Sequence, residues 1–227
     1  MALRTIRTYR TVSAVAALTL AGMIPFDHLA RAYADIYWVS RRSYEQVQEP
    51  TNGQEGLKQK AMLQARSRWK QDLEQTGAAR NRVAGAILPN WERWMEAGPA
   101  LLTFRITQVL TGHGCFGEYL KRIGAEPTTV CHHCDAELDS AQHTTEECKT
   151  FEEQRKKLTE VIGRDLSPAA LVTVLLTGDK EKEAITSFCE EVMSIKEVAE
   201  RERERRARDR RGMNRCRHPA AIQGQTG

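Results

Sequence analysis

Apolar positions along this chain recur every three or four residues and rarely alternate, so the pattern predicts helices. Thr11 to Ala21 is a short run of small and apolar residues that Gly22 stops. After Pro25, the residues Phe26, Leu29, Tyr33, Ile36 and Tyr37 fall at helical spacing behind Asp27, a capping residue. These two pieces form a helical pair over 1–45 in which neither buries its apolar face alone. The polar, turn-rich EPTNGQEG makes 46–61 a linker. Over 62–126, Met62, Ala65, Trp69 and Leu73 form the seam of a helix that stops near Gly77. Pro89 and Asn90 open a short element with Trp91, Trp94 and Met95, broken by Gly98-Pro99. Leu102, Ile106, Val109 and Leu110 suit a helix ended by TGHG, and Phe116, Tyr119, Leu120 and Ile123 add further turns before Gly124.

Phe151 to Ile162 is helical and closes a module over 127–163. In 164–199, Ser167-Pro168 caps and opens one helix. A longer one from about Lys180 has the seam Ala184, Phe188, Val192, Ile195 and Ala199. Beyond Ala199 the seam disappears, and 200–227 reads as an Arg-rich, partly disordered tail. The expected fold is mainly α: an irregular bundle of short helices with a Cys/His-stapled loop and a long charged C-terminal helix. A small hairpin near the cysteines is the one candidate for strand.

Composition sharpens this picture. The 227 residues are 28% charged, 41% hydrophobic and 6% aromatic, with mean hydropathy −0.54, as in a soluble, charge-rich helical protein. Net charge is only +4, but it is unevenly placed: Arg201 to Arg217 holds nine arginines against three acids. At the other end, Arg4, Arg7 and Arg10 precede the run VSAVAALTLAGMIPF, and Ala32-Tyr33-Ala34 is a small-x-small triplet, as in a leader peptide. Asp27, His28 and Arg31 separate run from triplet, so the expectation is a nuclear or cytoplasmic protein without a secretory or mitochondrial leader. The run is too short and interrupted to span a bilayer, and no membrane partner is expected.

The densest chemistry is CHHCDAELDSAQHTTEEC, residues 131–148, with three of the six cysteines and three of the six histidines. Cys131, Cys134, His143 and Cys148 have the spacing C-x2-C-x8-H-x4-C. Two thiolates on one tight turn reach one ion, and His143 and Cys148 close a tetrahedron of the kind zinc takes. Four protein ligands leave no open position, which makes such zinc structural. His132 and His133 are alternative ligands to His143, and Cys115 is a fifth candidate, although core packing suits Cys115 and Cys189 better. Two other readings stay open. A disulfide framework needs an oxidising compartment and leaves one local cysteine unpaired. A Cys–His catalytic pair needs an orienting third residue that the sequence does not single out. Residues 131–148 carry five acids and no lysine or arginine, so the loop cannot itself attract phosphate.

TVSAVAALTLAGMIPFDHLA, LQARSRWKQDL, LTGHGCFGEYLKRIG and then CHHC…H…C resemble the C-terminal part of the open reading frame of non-LTR (LINE-type) retrotransposons of arthropods. The resemblance covers roughly residues 9 to 155. The region 1–45 is similar to the thumb end of the reverse transcriptase, followed by its zinc-knuckle region. TGHG with Phe116, Tyr119 and Leu120 before the knuckle is the most specific part. The resemblance implies handling of RNA or DNA beside an upstream polymerase domain, with Cys131, Cys134, His143 and Cys148 as zinc ligands. The x8 interval departs from the x4 of the short retroviral knuckle, so that knuckle's base-binding pocket is not carried over. Lys149, Thr150 and Phe151 stand where the family often has Pro and Trp. The family's catalytic Tyr-x-Asp-Asp has only Tyr33-Ala34-Asp35-Ile36 as a counterpart, without the second aspartate. The chain is therefore not expected to be an enzyme on its own; Tyr33 is expected in the core and Asp35 on the surface.

The expectation is a non-catalytic nucleic-acid-binding portion of an RNA-directed DNA polymerase, with no small-molecule substrate. The candidate contacts are Arg66, Arg68, Lys70, Lys121, Arg122, Arg155, Lys156, Arg205, Arg206, Arg208, Arg210 and Arg211, with Lys149 and Lys157 also flanking the loop. Trp69, Trp91, Trp94, Phe116 and Tyr119 could stack on bases but lie on apolar faces that suit a core. The alternative function is a zinc-stabilised protein-interaction module acting through the C-terminal helix.

Overall fold

The computed structural model describes residues 1–46, 54–76 and 80–217. Among these the protein is helical without strands, and the main apolar core draws on residues from Ala2 to Met193, with a second, small cluster at Ala32, Ala61 and Ala65.

The first helices are α1 (Ala2–Thr5) and α2 (Ala14–Ala21). The α2 helix starts where Ser13 Oγ accepts the Ala16 N–H and ends at Gly22 in the left-handed region. It is apolar nearly all round and buries Ala16, Ala17 and Leu20, so the leader-like run is part of the core.

Helices α3 (Phe26–Gln46) and α4 (Gln54–Gln75) form an antiparallel pair: His28 lies by Asp72, Asp35 bonds Arg68, and Ala32, Ala61 and Ala65 form a small apolar contact. The expected linker is thus helical over 54–61, and 47–53 lie outside the described residues. The seam of α3 is also rotated from its expected position. His28 and Ala32 are buried, whereas Phe26, Tyr33 and Tyr37 are exposed. Alanines admit a closer approach of two helix backbones than aromatic rings do, and this turns the aromatic stripe outward. Tyr33 is therefore not a core residue.

The α4 helix joins the main core through Trp69, edge-on to Trp91 at 4.9 Å, and Leu73. Around it lie α5 (Arg82–Ile87), capped by Asn81 Oδ1, and α6 (Trp91–Ala97), whose Trp94 indole N–H donates to the Thr19 carbonyl at 3.1 Å. Next come α7 (Phe104–Thr111), capped by Thr103, and α8 (Gly117–Arg122). Past the Cys/His loop, α9 (Glu152–Ile162) and α10 (Pro168–Leu175) pack with α7 around α11 (Asp179–Arg217).

At 39 residues α11 is about 58 Å long. Its buried side is Ile185, Phe188, Cys189, Val192, Met193 and Lys196; Ile195, expected in the seam, is exposed, and so is Ile123. Within the expected Arg-rich tail, residues 200–217 continue this helix. Glu197–Arg201 and Glu202–Arg206 pairs one turn apart hold it, and Arg203 reaches Glu126 at 3.2 Å. Residues 218–227 lie outside the described residues. No described helix is long and apolar enough to cross a membrane.

Candidate metal centre

The Cys/His loop lies against α8 and α11 because of a glycine motif just before it. In TGHGCFG, Gly114 has φ 138° and sits against Gln108 and Met193, where a Cβ would meet Gln108 Nε2 at 2.8 Å. At Gly117 a Cβ would meet the Thr129 carbonyl at 2.8 Å, so only glycine admits the loop. His113 is buried, with Nδ1 2.9 Å from the Thr111 carbonyl and Nε2 3.1 Å from an Arg122 nitrogen. Burial and Arg122 lower its pKa and keep it neutral, with the proton on Nδ1. The motif is thus a cradle.

Within the loop, Asp135 adopts φ 61°, which folds the chain back after Cys134. The Asp135 N–H donates to the Cys131 carbonyl and the Cys131 N–H to the Ala136 carbonyl, both at 2.8 Å, and Asp139 N–H reaches Thr129 at 2.7 Å. The expected hairpin is a turn closed by these bonds, with no strand. Ser140 Oγ then accepts the His143 N–H and opens the wide turn His143–Glu147. Thr150 Oγ donates to the His133 carbonyl at 2.6 Å, and Arg155 donates to the Thr145 and Cys148 carbonyls at 2.9 and 2.6 Å.

These bonds bring the donor atoms of Cys131, Cys134, His143 and Cys148 within 4.8 Å of one another. Cys131 and Cys148 sulfurs are 3.9 Å apart, and Cys134 sulfur is 3.2 Å from His143 Nε2. Two sulfurs each about 2.3 Å from a tetrahedral ion stand about 3.8 Å apart, whereas a disulfide bond is about 2.05 Å long. The described cysteines are unbridged. Three sulfurs and an imidazole at this separation fit a metal ion, and zinc takes this donor set.

Without metal the three thiols differ. Burial pushes Cys131 up to about 12 and also raises Cys148. At Cys134 burial is outweighed by the Ala136 N–H and by bonds to Cys148, Cys131 and His143, which bring it down to about 7. Cys134 is the first sulfur to ionise, and metal binding must displace the remaining thiol protons. His143 turns Nδ1 toward Glu147, 3.5 Å away and one helical turn on, which orients Nε2 inward. His132 faces Glu126 and His133 packs on Phe151, so neither replaces His143.

A buried ion pair fastens the loop to α11. Lys196 Nζ is 2.8 and 2.9 Å from the two Asp139 oxygens, and Asp139 also accepts from the Gly117 N–H at 3.0 Å and the Thr144 hydroxyl at 3.2 Å. Sequence reasoning missed this pair, because Asp139 looked like one more loop acid and Lys196 like a surface charge.

The basic candidates divide. Arg155 is half-buried and donates to the loop's own Thr145 and Cys148 carbonyls. Arg68 pairs with Asp35 at 3.1 Å, Arg66 and Lys70 are half-buried, and Arg122 bonds His113 over the Tyr119 ring. Lys121, Lys149, Lys156 and Lys157 are exposed around the loop. Arg205, Arg206, Arg208 and Arg210 are exposed along α11, with Arg206 and Arg205 near Glu202. The side chains of Arg211 and Cys216 lie outside the described residues. Trp69, Trp91, Trp94, Phe116, Tyr119, Cys115 and Cys189 are all buried, as their apolar faces predict. No family model, curated protein or solved structure matches this chain.

Proposed function

We propose that this protein is the non-catalytic, nucleic-acid-binding C-terminal portion of a retrotransposon reverse transcriptase, with a structural zinc in the Cys131–Cys134–His143–Cys148 site. The observation that carries this reading is the joining of the acidic metal loop to an arginine-bearing helix. From Arg201 to Arg210, α11 carries six arginines against Glu202, Glu204 and Asp209. That stretch stands clear of the apolar core, which ends at Met193. The loop, with five acids and a zinc–tris-thiolate charge of about −1, repels phosphate and serves as a staple. The exposed guanidiniums attract phosphate, and the sequence resemblance points to RNA or a DNA target as its source.

Phosphate contact makes affinity depend on salt. With about five single-strand contacts, log K falls with log salt at a slope of about −3.5, or about a hundredfold between 50 and 200 mM. Fluorescence anisotropy of the zinc-loaded chain with labelled RNA and single-stranded DNA measures this. Changing Arg205, Arg206, Arg208 and Arg210 to Gln together should flatten the slope while leaving zinc content unchanged. Absence of binding, or a slope near zero, refutes the proposal. A second reading, a protein-interaction module, rests on Ile195 and Val198, exposed on α11. It predicts that the four-Gln variant keeps its partner and that an Ile195→Asp, Val198→Asp variant loses it.

A further inference from the structure

Trp69, Trp91 and Trp94 are at most 4% exposed, whereas Trp38 on α3 is 54% exposed. Trp38 borders an open groove of about 700 Å³ between α3 and α4, lined by Asp35, Trp38, Val39, Arg42, Gln64 and Arg68. Asp35 Oδ2 accepts from both terminal nitrogens of Arg68, at 3.1 and 3.2 Å, which fixes that guanidinium in the groove. The Tyr37 ring stands edge-on to the indole, 5.2 Å between centroids and 74° between planes, and supports it from the side. Farther along α3, Tyr33 and Phe26 are also exposed.

We infer that this groove holds one unpaired nucleotide of a single-stranded nucleic acid, its base stacked on Trp38 and its phosphate between Arg42 and Arg68. Each part of the groove matches a part of that ligand. An exposed indole offers a flat face to any base. Two guanidiniums against one carboxylate leave net positive charge for a phosphate. The Gln64 amide offers a donor and an acceptor to a base edge. A purely apolar partner would leave both guanidiniums and the Asp35 carboxylate desolvated at its centre. The inference rests on the proposed nucleic-acid function and adds to it a stacking contact far in sequence from the arginines of α11.

Trp38 is its own reporter, because acrylamide reaches an exposed indole and the other three are buried. The zinc-loaded full chain is titrated with oligo(U) and oligo(dT), following anisotropy and the quenchable fraction of tryptophan emission. Binding of either oligonucleotide should protect Trp38. Trp38→Ala should weaken binding about tenfold or more, Trp38→Phe should retain most of it, and Arg42→Gln should weaken it and reduce the salt slope by about 0.7. Zinc content and thermal midpoint should not move, since these side chains lie outside the core. Binding that leaves Trp38 quenchable and is unchanged in Trp38→Ala overturns this inference while the nucleic-acid function stands. No binding of any oligonucleotide overturns both. Protection of Trp38 by raised protein concentration alone assigns the groove to a second copy of the chain and also overturns it.

Discussion

Replacing Lys196 with Met removes the ammonium from a site where nothing else can neutralise Asp139. The Lys196 side chain is 1% exposed and that of Asp139 4%, and the ammonium also lies 5.5 Å from the centre of the Phe116 ring. Methionine fills most of the aliphatic volume, so the change isolates the charge. Truncating one partner of a buried pair costs about 3–5 kcal/mol, because the other charge stays desolvated. Here Asp139 keeps the Gly117 N–H and the Thr144 hydroxyl, which places the expected loss near the low end, about 3 kcal/mol. For a domain of this size that is a fall in Tm of about 6–12 °C. The assay is thermal and urea unfolding of the zinc-loaded protein at fixed free zinc, with Asp139→Asn and the double variant completing a cycle. The double variant removes both charges and should cost about 1–2 kcal/mol less than the two single variants summed. A Lys196→Met protein within about 0.5 kcal/mol of the parent, or strict additivity in the cycle, refutes the argument that this pair fastens the loop to α11.

Two further outcomes follow from the loop and its cradle. Glu147→Gln removes the carboxylate behind His143; since Glu147 is largely exposed, zinc affinity should fall about tenfold, the low end for such a partner. Competition with a chromophoric chelator measures it, and unchanged affinity refutes the orienting role. His113 is held neutral below its ordinary pKa, so as pH falls through about 6.5 the unfolded chain takes up the proton first. Its contribution to stability is therefore complete above that pH and lost progressively below it. His113→Gln should reduce the slope of urea stability between pH 7 and 5, and an equal slope in both proteins refutes it.

Helices were legible wherever the local signal agreed with the packing. Gly22, and Ser167 with Pro168, mark real boundaries, and the ligand spacing alone picked out the four donors that converge. The failures share a cause: partners distant in sequence. Phe26, Tyr33 and Tyr37 looked like a buried seam because they are apolar, but α4 presents alanines that draw the other side of α3 inward. Ile195 was expected inside, and Lys196 was not singled out. Ile195 is exposed and Lys196 buried, because Asp139, 57 residues earlier, supplies the charge that lets a lysine be buried. The bonds from Arg155 to the Thr145 and Cys148 carbonyls were likewise invisible in the sequence. Trp38 drew no attention beside five aromatics that proved to be core, since nothing local distinguishes an exposed indole from a buried one.

The buried pair also bears on why a metal loop with the wrong charge for phosphate should sit beside an arginine helix. A short loop with five acids cannot hold a helix by apolar burial alone, and its three sulfurs and imidazole face one another. Asp139 is the loop acid turned inward, and it reaches three elements at once: α8 through Gly117, the ligand turn through Thr144, and α11 through Lys196. An ion held by the four donors would order the loop, and the loop in turn holds Lys196. Five residues farther along α11 the exposed arginines begin. Because an α-helix is stiff over one or two turns, fixing Lys196 fixes the direction in which those arginines project. Metal loss should therefore reach the arginine face through Asp139 and Lys196, and a chain with an intact Arg row but no Lys196–Asp139 pair would present the same charge without a fixed direction.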